Sequence, residues 1–167
     1  MKADIGISEK NTKAVADKLQ VILADEYVLY TKTLADEYVL YTKTRNYHWN
    51  VEAPNFMELH KLFESQYEEI DEMIDDIAER IRSIGHYSTG RLQDFLSLTN
   101  LLEPNSNNKA EKQIKNLLQD HETLIKELRK CEGDFSDKFK DAGSADFVTA
   151  LMEKHEKMAW MLRSYLS

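Results

Sequence analysis

The sequence predicts an all-α fold: a bundle of four long helices, with a short fifth helix in the connection between the second and the third. Three observations carry this. Apolar residues recur at steps of three and four through nearly the whole chain after residue 12. Only five Gly and two Pro interrupt 167 residues, which are rich in Leu, Lys, Glu, Asp and Ala. No alternating pattern competes as a strand. A chain of this length fits a single domain, 1–167, with a core large enough to fold without staples.

The first helix is expected from about Thr12 to Asn50, and it contains an exact repeat. Residues 23–33 read LADEYVLYTKT and residues 34–44 read LADEYVLYTKT again. Chance does not produce eleven identical positions, so this is a tandem duplication, natural or designed. Eleven residues make about three helical turns with a phase error of about 20°. The stripe Leu23, Tyr27, Tyr30, Leu34, Tyr38, Tyr41 therefore crosses the junction almost undisturbed. Two outcomes compete: the helix lengthens by roughly 16 Å, or one copy loops out. With no Gly or Pro to make a loop, the expectation is a first helix extended by the duplication, altering how subunits meet.

The second helix begins near Asn55, after Pro54, and stops at Gly85. Phe56, Leu59, Phe63, Tyr67, Ile70, Ile74, Ile77, Ile81 and Ile84 keep its stripe unbroken. Leu92, Phe95, Leu96 and Leu98 mark a short amphipathic segment within Arg91–Leu102, before Pro104 and an Asn-rich stretch break the chain. The third helix carries Ile114, Leu117, Leu118, His121, Leu124, Ile125, Leu128 and Cys131, and should end at Gly133. The last carries Phe147, Leu151, His155, Met158, Leu162 and Tyr165, with Ser144 expected as its N-cap. One long central connection among four helices describes a bundle with a crossover, the ferritin-like arrangement.

Composition bounds the partners. Thirty acidic residues against 22 basic ones give a formal charge of −8, which attracts cations and repels nucleic acid. Residues 1–13 hold Lys2, Lys10 and Lys13 against Asp4 and Glu9, and no basic extension follows at the other end, so DNA binding is not expected. The single cysteine, Cys131, excludes an intrachain disulfide and reads as a small buried residue, which suits a reducing compartment. No secretory segment follows Met1, and no apolar run reaches the ~18–20 residues of a membrane helix. A cytoplasmic protein without a membrane partner is the expectation.

The chemistry gathers on the second helix. His60 and Glu64 stand four apart, as do Asp75 and Glu79, the spacing by which one helix face offers two ligands to one metal. Glu64 and Asp75 are eleven apart, or roughly 16 Å along the axis. A metal needs its oxygen ligands within about 2.0–2.6 Å, so one straight helix cannot bring both pairs to one ion. If the pairs share a site, the second comes from another molecule across a two-fold contact. His48, at the end of the first helix, adds a second imidazole, and two imidazoles with three carboxylates suit Fe²⁺, Zn²⁺ or Mn²⁺. An acidic helix face is usually only solvated; the joint occurrence of His48 and His60 with both carboxylate pairs separates this one from that background. His86, His121 and His155 read as core or capping histidines.

The segment RNYHWNVEAPNFMELHKLFE, running into DEMIDDIAERIRSIG, resembles the signature of the Dps (mini-ferritin) family. With one copy of the repeat removed, the helical pattern is similar to that family over essentially the whole chain. The resemblance implies iron as the metal, at a mono- or di-iron ferroxidase site shared between two subunits. His48, His60 and Glu64 of one would face Asp75 and Glu79 of its mate, with Trp49 beside them to intercept oxidising radicals. The position of Glu64 is often Asp in the family. The resemblance further implies a homo-oligomeric shell of twelve subunits built from two-fold dimers, oxidation of Fe²⁺ by hydrogen peroxide, and a stored ferric mineral. The competing expectation is a variant in which the lengthened helix rearranges assembly and weakens storage. The family's iron-entry pores use acidic residues near the start of the last helix, for which Asp137, Asp141 and Asp146 are the candidates.

Overall fold

The computed structural model describes residues 9–104 and 107–167, with side chains from Tyr27 onward. Five α-helices follow one another: α1 (Glu9–Asn50), α2 (Phe56–Ser83), α3 (Leu92–Leu98), α4 (Ala110–Gly133) and α5 (Ala142–Ser164). α1 lies against α2 and α4 against α5, the pairs meet through α1 and α4, and α3 packs on α1. Among the described residues there is no strand; the nearest thing is a lone bridge between Glu52 and Lys109. Leu40, Phe63, Ile70, Ile77, Leu117 and Leu162 are fully buried where the stripes converge. No helix among the described residues is long and apolar enough to cross a membrane.

α1 is continuous over 42 residues, so the duplication lengthens the helix rather than looping out. Its two copies nevertheless live in different surroundings. Val39 is 5% exposed, whereas Val28, its counterpart in the first copy, is 49% exposed. Lys43 is buried and its counterpart Lys32 lies in solvent. Tyr30 is buried against Phe135 and Phe147, at ring distances of 5.1 and 5.9 Å, while its counterpart Tyr41 is half-buried. Leu23 falls among residues whose side chains are not described.

The second copy also carries buried polar groups that hydrophobic periodicity did not flag, and these tie the bundle together. Asp36 accepts hydrogen bonds from Thr99 Oγ1 (2.7 Å), the Asn100 backbone N–H (2.6 Å) and Asn100 Nδ2 (3.1 Å), which fastens the end of α3 to α1. Lys43 Nζ donates to Asp120 on α4 and to the Leu102 carbonyl, both at 2.6 Å. Glu37, wholly buried, meets His155 Nε2 of α5 at 2.7 Å, and His155 Nδ1 meets His121 Nδ1 of α4 at 2.9 Å. Three helices are thereby joined by a chain of carboxyl and imidazole groups inside an apolar core. His121 and His155 are the core histidines the sequence leads one to expect, and half-buried His86 packs on Tyr27 at 5.0 Å.

α4 ends at Gly133, as expected, but Gly133 itself keeps helical dihedrals and the chain continues through a π-helical turn, Asp134–Phe139, that buries Phe135 and Phe139. Lys140, at φ 60°, closes that turn. One helix start differs from expectation. The N-cap of α5 is Asp141, not Ser144. The Asp141 carboxylate accepts from the Gly143 and Ser144 N–H groups, and buried Ser144 donates its hydroxyl to the same carboxylate. Partial burial pushes Asp141 up, but those hydrogen bonds and the Arg80 guanidinium at 3.2 Å hold it below the usual carboxylate range. Cys131 is buried, with its thiol pushed up to about 11 by burial and by Glu127 and Asp134, an inert apolar residue.

The repeat supplies its own control for these ties. Lys43→Met leaves Asp120 buried without its partner and should cost about 2–4 kcal/mol in urea unfolding. Lys32→Met, the same change at the same repeat position, should stay within about 0.5 kcal/mol; equal losses would mean that the copies are energetically equivalent. A second expectation concerns pH. Burial, with the neighbouring His155 adding to it, holds His121 well below the usual histidine range. The folded state then binds fewer protons than the unfolded one. The stability this supplies is complete above about pH 6.5 and is lost as pH falls, by up to about 1.4 kcal/mol per pH unit. Thermal melts should show that slope, and His121→Leu should flatten it; parallel acid curves for the two proteins would rule out His121 as its source.

Candidate metal centre

α1 ends at Asn50, and the reversal into α2 is held by a 2.9 Å hydrogen bond from the Glu52 N–H to the Asn108 carbonyl. This reversal stacks the His48 and His60 rings with centroids 3.7 Å apart and planes inclined by 19°. Each ring is held by the other residue's backbone. His48 Nδ1 donates to the His60 carbonyl at 2.8 Å, and His60 Nδ1 donates to the His48 carbonyl at 2.9 Å. A carbonyl only accepts, so each ring carries a proton on Nδ1, and in the neutral imidazole Nε2 is the nitrogen that presents a lone pair. That is how a metal-binding histidine is oriented by its outer hydrogen bond.

The surroundings reinforce the pair. Phe56 stacks on His60 at 5.0 Å and Tyr67 stands edge-on to His48 at 5.3 Å. His48 is buried and His60 and Glu64 are half-buried, whereas Asp75 and Glu79 are exposed further along α2. α2 runs unbroken from Phe56 to Ser83, so no kink shortens the separation between the two carboxylate-bearing pairs. Among the described residues of one chain, no three His, Cys, Asp or Glu side chains come together to hold a metal. The donors therefore stand as two halves: imidazoles and Glu64 at one end of α2, Asp75 and Glu79 towards the other.

Trp49 follows His48 and is 64% exposed. The Arg45 guanidinium lies over its ring at 5.5 Å, over Tyr41 at 5.5 Å and over Tyr67 at 5.2 Å. Desolvation and the carboxylates of Glu64 and Glu68 push the Tyr67 phenol above its ordinary range. In the sequence Tyr67 stands out only as part of the apolar stripe, and Arg45 only as the first residue of the motif. The ladder Tyr41, Arg45, Trp49 at steps of four was visible in the sequence; the approach of Tyr67 from another helix was not. Of the three pore candidates, Asp141 is engaged as a helix cap, while Asp137 and Asp146 are exposed.

A family model described as a ferritin-like domain matches residues 29–167, beginning inside the first copy of the repeat. A low temperature-induced protein of Nostoc sp. is 48% identical over 166 residues, covering 99% of this chain and 87% of that protein. DNA protection during starvation protein 2 of Bacillus anthracis is 35% identical over 155 residues, 93% of this chain and 98% of the other. The crystal structure of a Dps protein from Bacillus brevis superposes with a TM-score of 0.84 at 34% identity, covering 88% of this chain and 98% of that one.

The reciprocal carbonyl lock makes a specific demand on His60. His60→Ala removes one candidate nitrogen ligand and also the ring stacked on His48, so Co²⁺ or Fe²⁺ affinity measured by calorimetry should fall about 10- to 100-fold. Affinity unchanged by that substitution would mean that the stacked pair is structural only.

Proposed function

The chain belongs to the ferritin-like family and, within it, to the Dps proteins, and from that premise we propose that it oxidises ferrous iron and stores the ferric product. In this reading the whole chain acts as one ferritin-like domain. Fe²⁺ is the substrate, held by His48, His60 and Glu64 of one subunit and by Asp75 and Glu79 of a two-fold mate, as one or two ions per site. The observation that supports it best is the locked pair of imidazoles, both presenting Nε2, beside Glu64. Anionic oxygen ligands favour the ferric state over the ferrous one. Hydrogen peroxide is the oxidant proposed: two ferrous ions supply both of the electrons that one peroxide needs to become water, and no hydroxyl radical is released. Trp49, next to His48 in sequence and largely exposed, would meet a radical that escapes.

The ferric product would collect as mineral inside a shell built from these dimers, in the cytoplasm, protecting the cell from iron and peroxide together. A formal charge of −8 favours protection by removing iron over protection by coating DNA. A second reading is favoured by one observation, the 42-residue α1, which begins twenty residues before the family match. The lengthened helix would then change the shell or halt assembly at the dimer, weakening storage.

A site shared between subunits permits a complementation test. His48→Ala and Asp75→Ala should each abolish peroxide-dependent iron oxidation. Half of randomly mixed dimers contain one of each, and in those one of two sites is intact, so co-assembled protein should recover roughly a quarter of the wild-type rate. No recovery from mixed particles of normal mass would sink the shared site. Light scattering on the same samples separates a closed shell from small oligomers.

A further inference from the structure

Arg45 carries a charge that the proposed chemistry does not use, and three aromatic rings surround it. Its guanidinium sits 5.2–5.5 Å from the ring centroids of Tyr41, Tyr67 and Trp49, and it donates to the Tyr41 hydroxyl. Among the described residues no carboxylate pairs with it, and its Nε is buried without a hydrogen-bond partner. The cation therefore acts on the faces of the rings rather than on a counter-ion. Two of those rings belong to residues next to the imidazole pair: Trp49 follows His48 in sequence, and Tyr67 packs edge-on against it.

We propose that Arg45 is a positioning and tuning residue that holds these rings beside the iron site and makes them harder to oxidise. The physics is simple. A one-electron oxidant takes an electron from the indole and leaves a ring cation, which then releases its N–H proton to water. A fixed guanidinium above the ring stabilises the neutral indole through its quadrupole and repels the cation that replaces it. Trp49 is thereby kept as a last-resort donor, and the electrons for peroxide come from iron first. The biological meaning rests on the iron-oxidation reading; the effect on the ring does not.

The chain contains its own reference. Trp160 is 61% exposed, close to the 64% of Trp49, and no cation lies over it among the described residues. The experiment exposes metal-free full-length protein to azide radical, a neutral one-electron oxidant that becomes azide ion. Peptide mass spectrometry then gives the ratio of oxidised Trp49 to oxidised Trp160. Arg45→Met should raise that ratio roughly ten-fold, the factor a partly desolvated cation–π contact is worth, and Arg45→Lys should bring it back towards wild type. Burial of Trp49 at a subunit contact would protect it alike in all three proteins.

An unchanged ratio in Arg45→Met overturns the proposal. So does a rise that Arg45→Lys fails to reverse, because that would trace the protection to packing and not to charge. Repeating the measurement with Fe²⁺ and hydrogen peroxide separates the two ideas. If wild-type protein does not oxidise iron, the proposed function fails while the azide-radical result still decides the role of Arg45. If it does, Arg45→Met should lose more Trp49 per iron oxidised.

Discussion

The register of α1 is the constraint on which the rest of this structure depends. Two identical stretches compete for one place along the bundle, and apolar phasing alone barely separates them, since an eleven-residue shift turns the stripe by only about 20°. The buried polar ties mark the place where the second copy sits: Asp36 on the end of α3, Glu37 on His155, and Lys43 on Asp120. Each is a group that would be costly to bury unpaired. With the second copy engaged, α1 arrives at Asn50 in position for the chain to reverse. The first copy then occupies the far end of the bundle, where Tyr30 fills the space beside Phe135 and Phe147.

The candidate site follows from that register. His48 lies four residues beyond the end of the second copy, so holding the repeat also holds this imidazole. The reversal between α1 and α2 then lets two backbone carbonyls fix two rings. Neither ring needs a separate carboxylate to orient it. α2 contributes in the opposite way, by remaining straight. Along its unbroken length Asp75 and Glu79 stand away from the imidazoles of their own chain, which is why the proposed site draws them from a partner subunit. The same neighbourhood carries Arg45 with its three rings, so the candidate metal ligands and an aromatic cluster share one helix end.

The parts read most directly from the sequence were those encoded by local spacing. Steps of three and four gave the four long helices and the short one, and pairs four apart gave His60 with Glu64 and Asp75 with Glu79. The motif from Arg45 to Glu64 carried the family resemblance, and the helical fold and the relatives bear it out. Gly133 ends α4 as its type suggests, but the chain goes on through a π-helical turn because Phe135 and Phe139 are worth burying. The error fell at the start of α5: the helix begins earlier than Ser144, and Asp141 caps it by accepting from the Gly143 and Ser144 N–H groups, with Arg80 beside it.

What the sequence by itself determined is whatever depends on a residue and its near neighbours: helix content, the faces of each helix, the pairs four apart on α2 and the absence of any loop-forming residue in the repeat. What only the tertiary structure decided is the environment of residues whose local sequence is the same. Lys32 and Lys43 have the same nine residues before them, yet one lies in water and the other is buried on Asp120. Val28 and Val39 differ in the same way. Helical geometry is fixed within a few residues along the chain, so identical segments form identical helices. Burial and ion pairing are fixed by elements distant in sequence, and the two copies meet different ones.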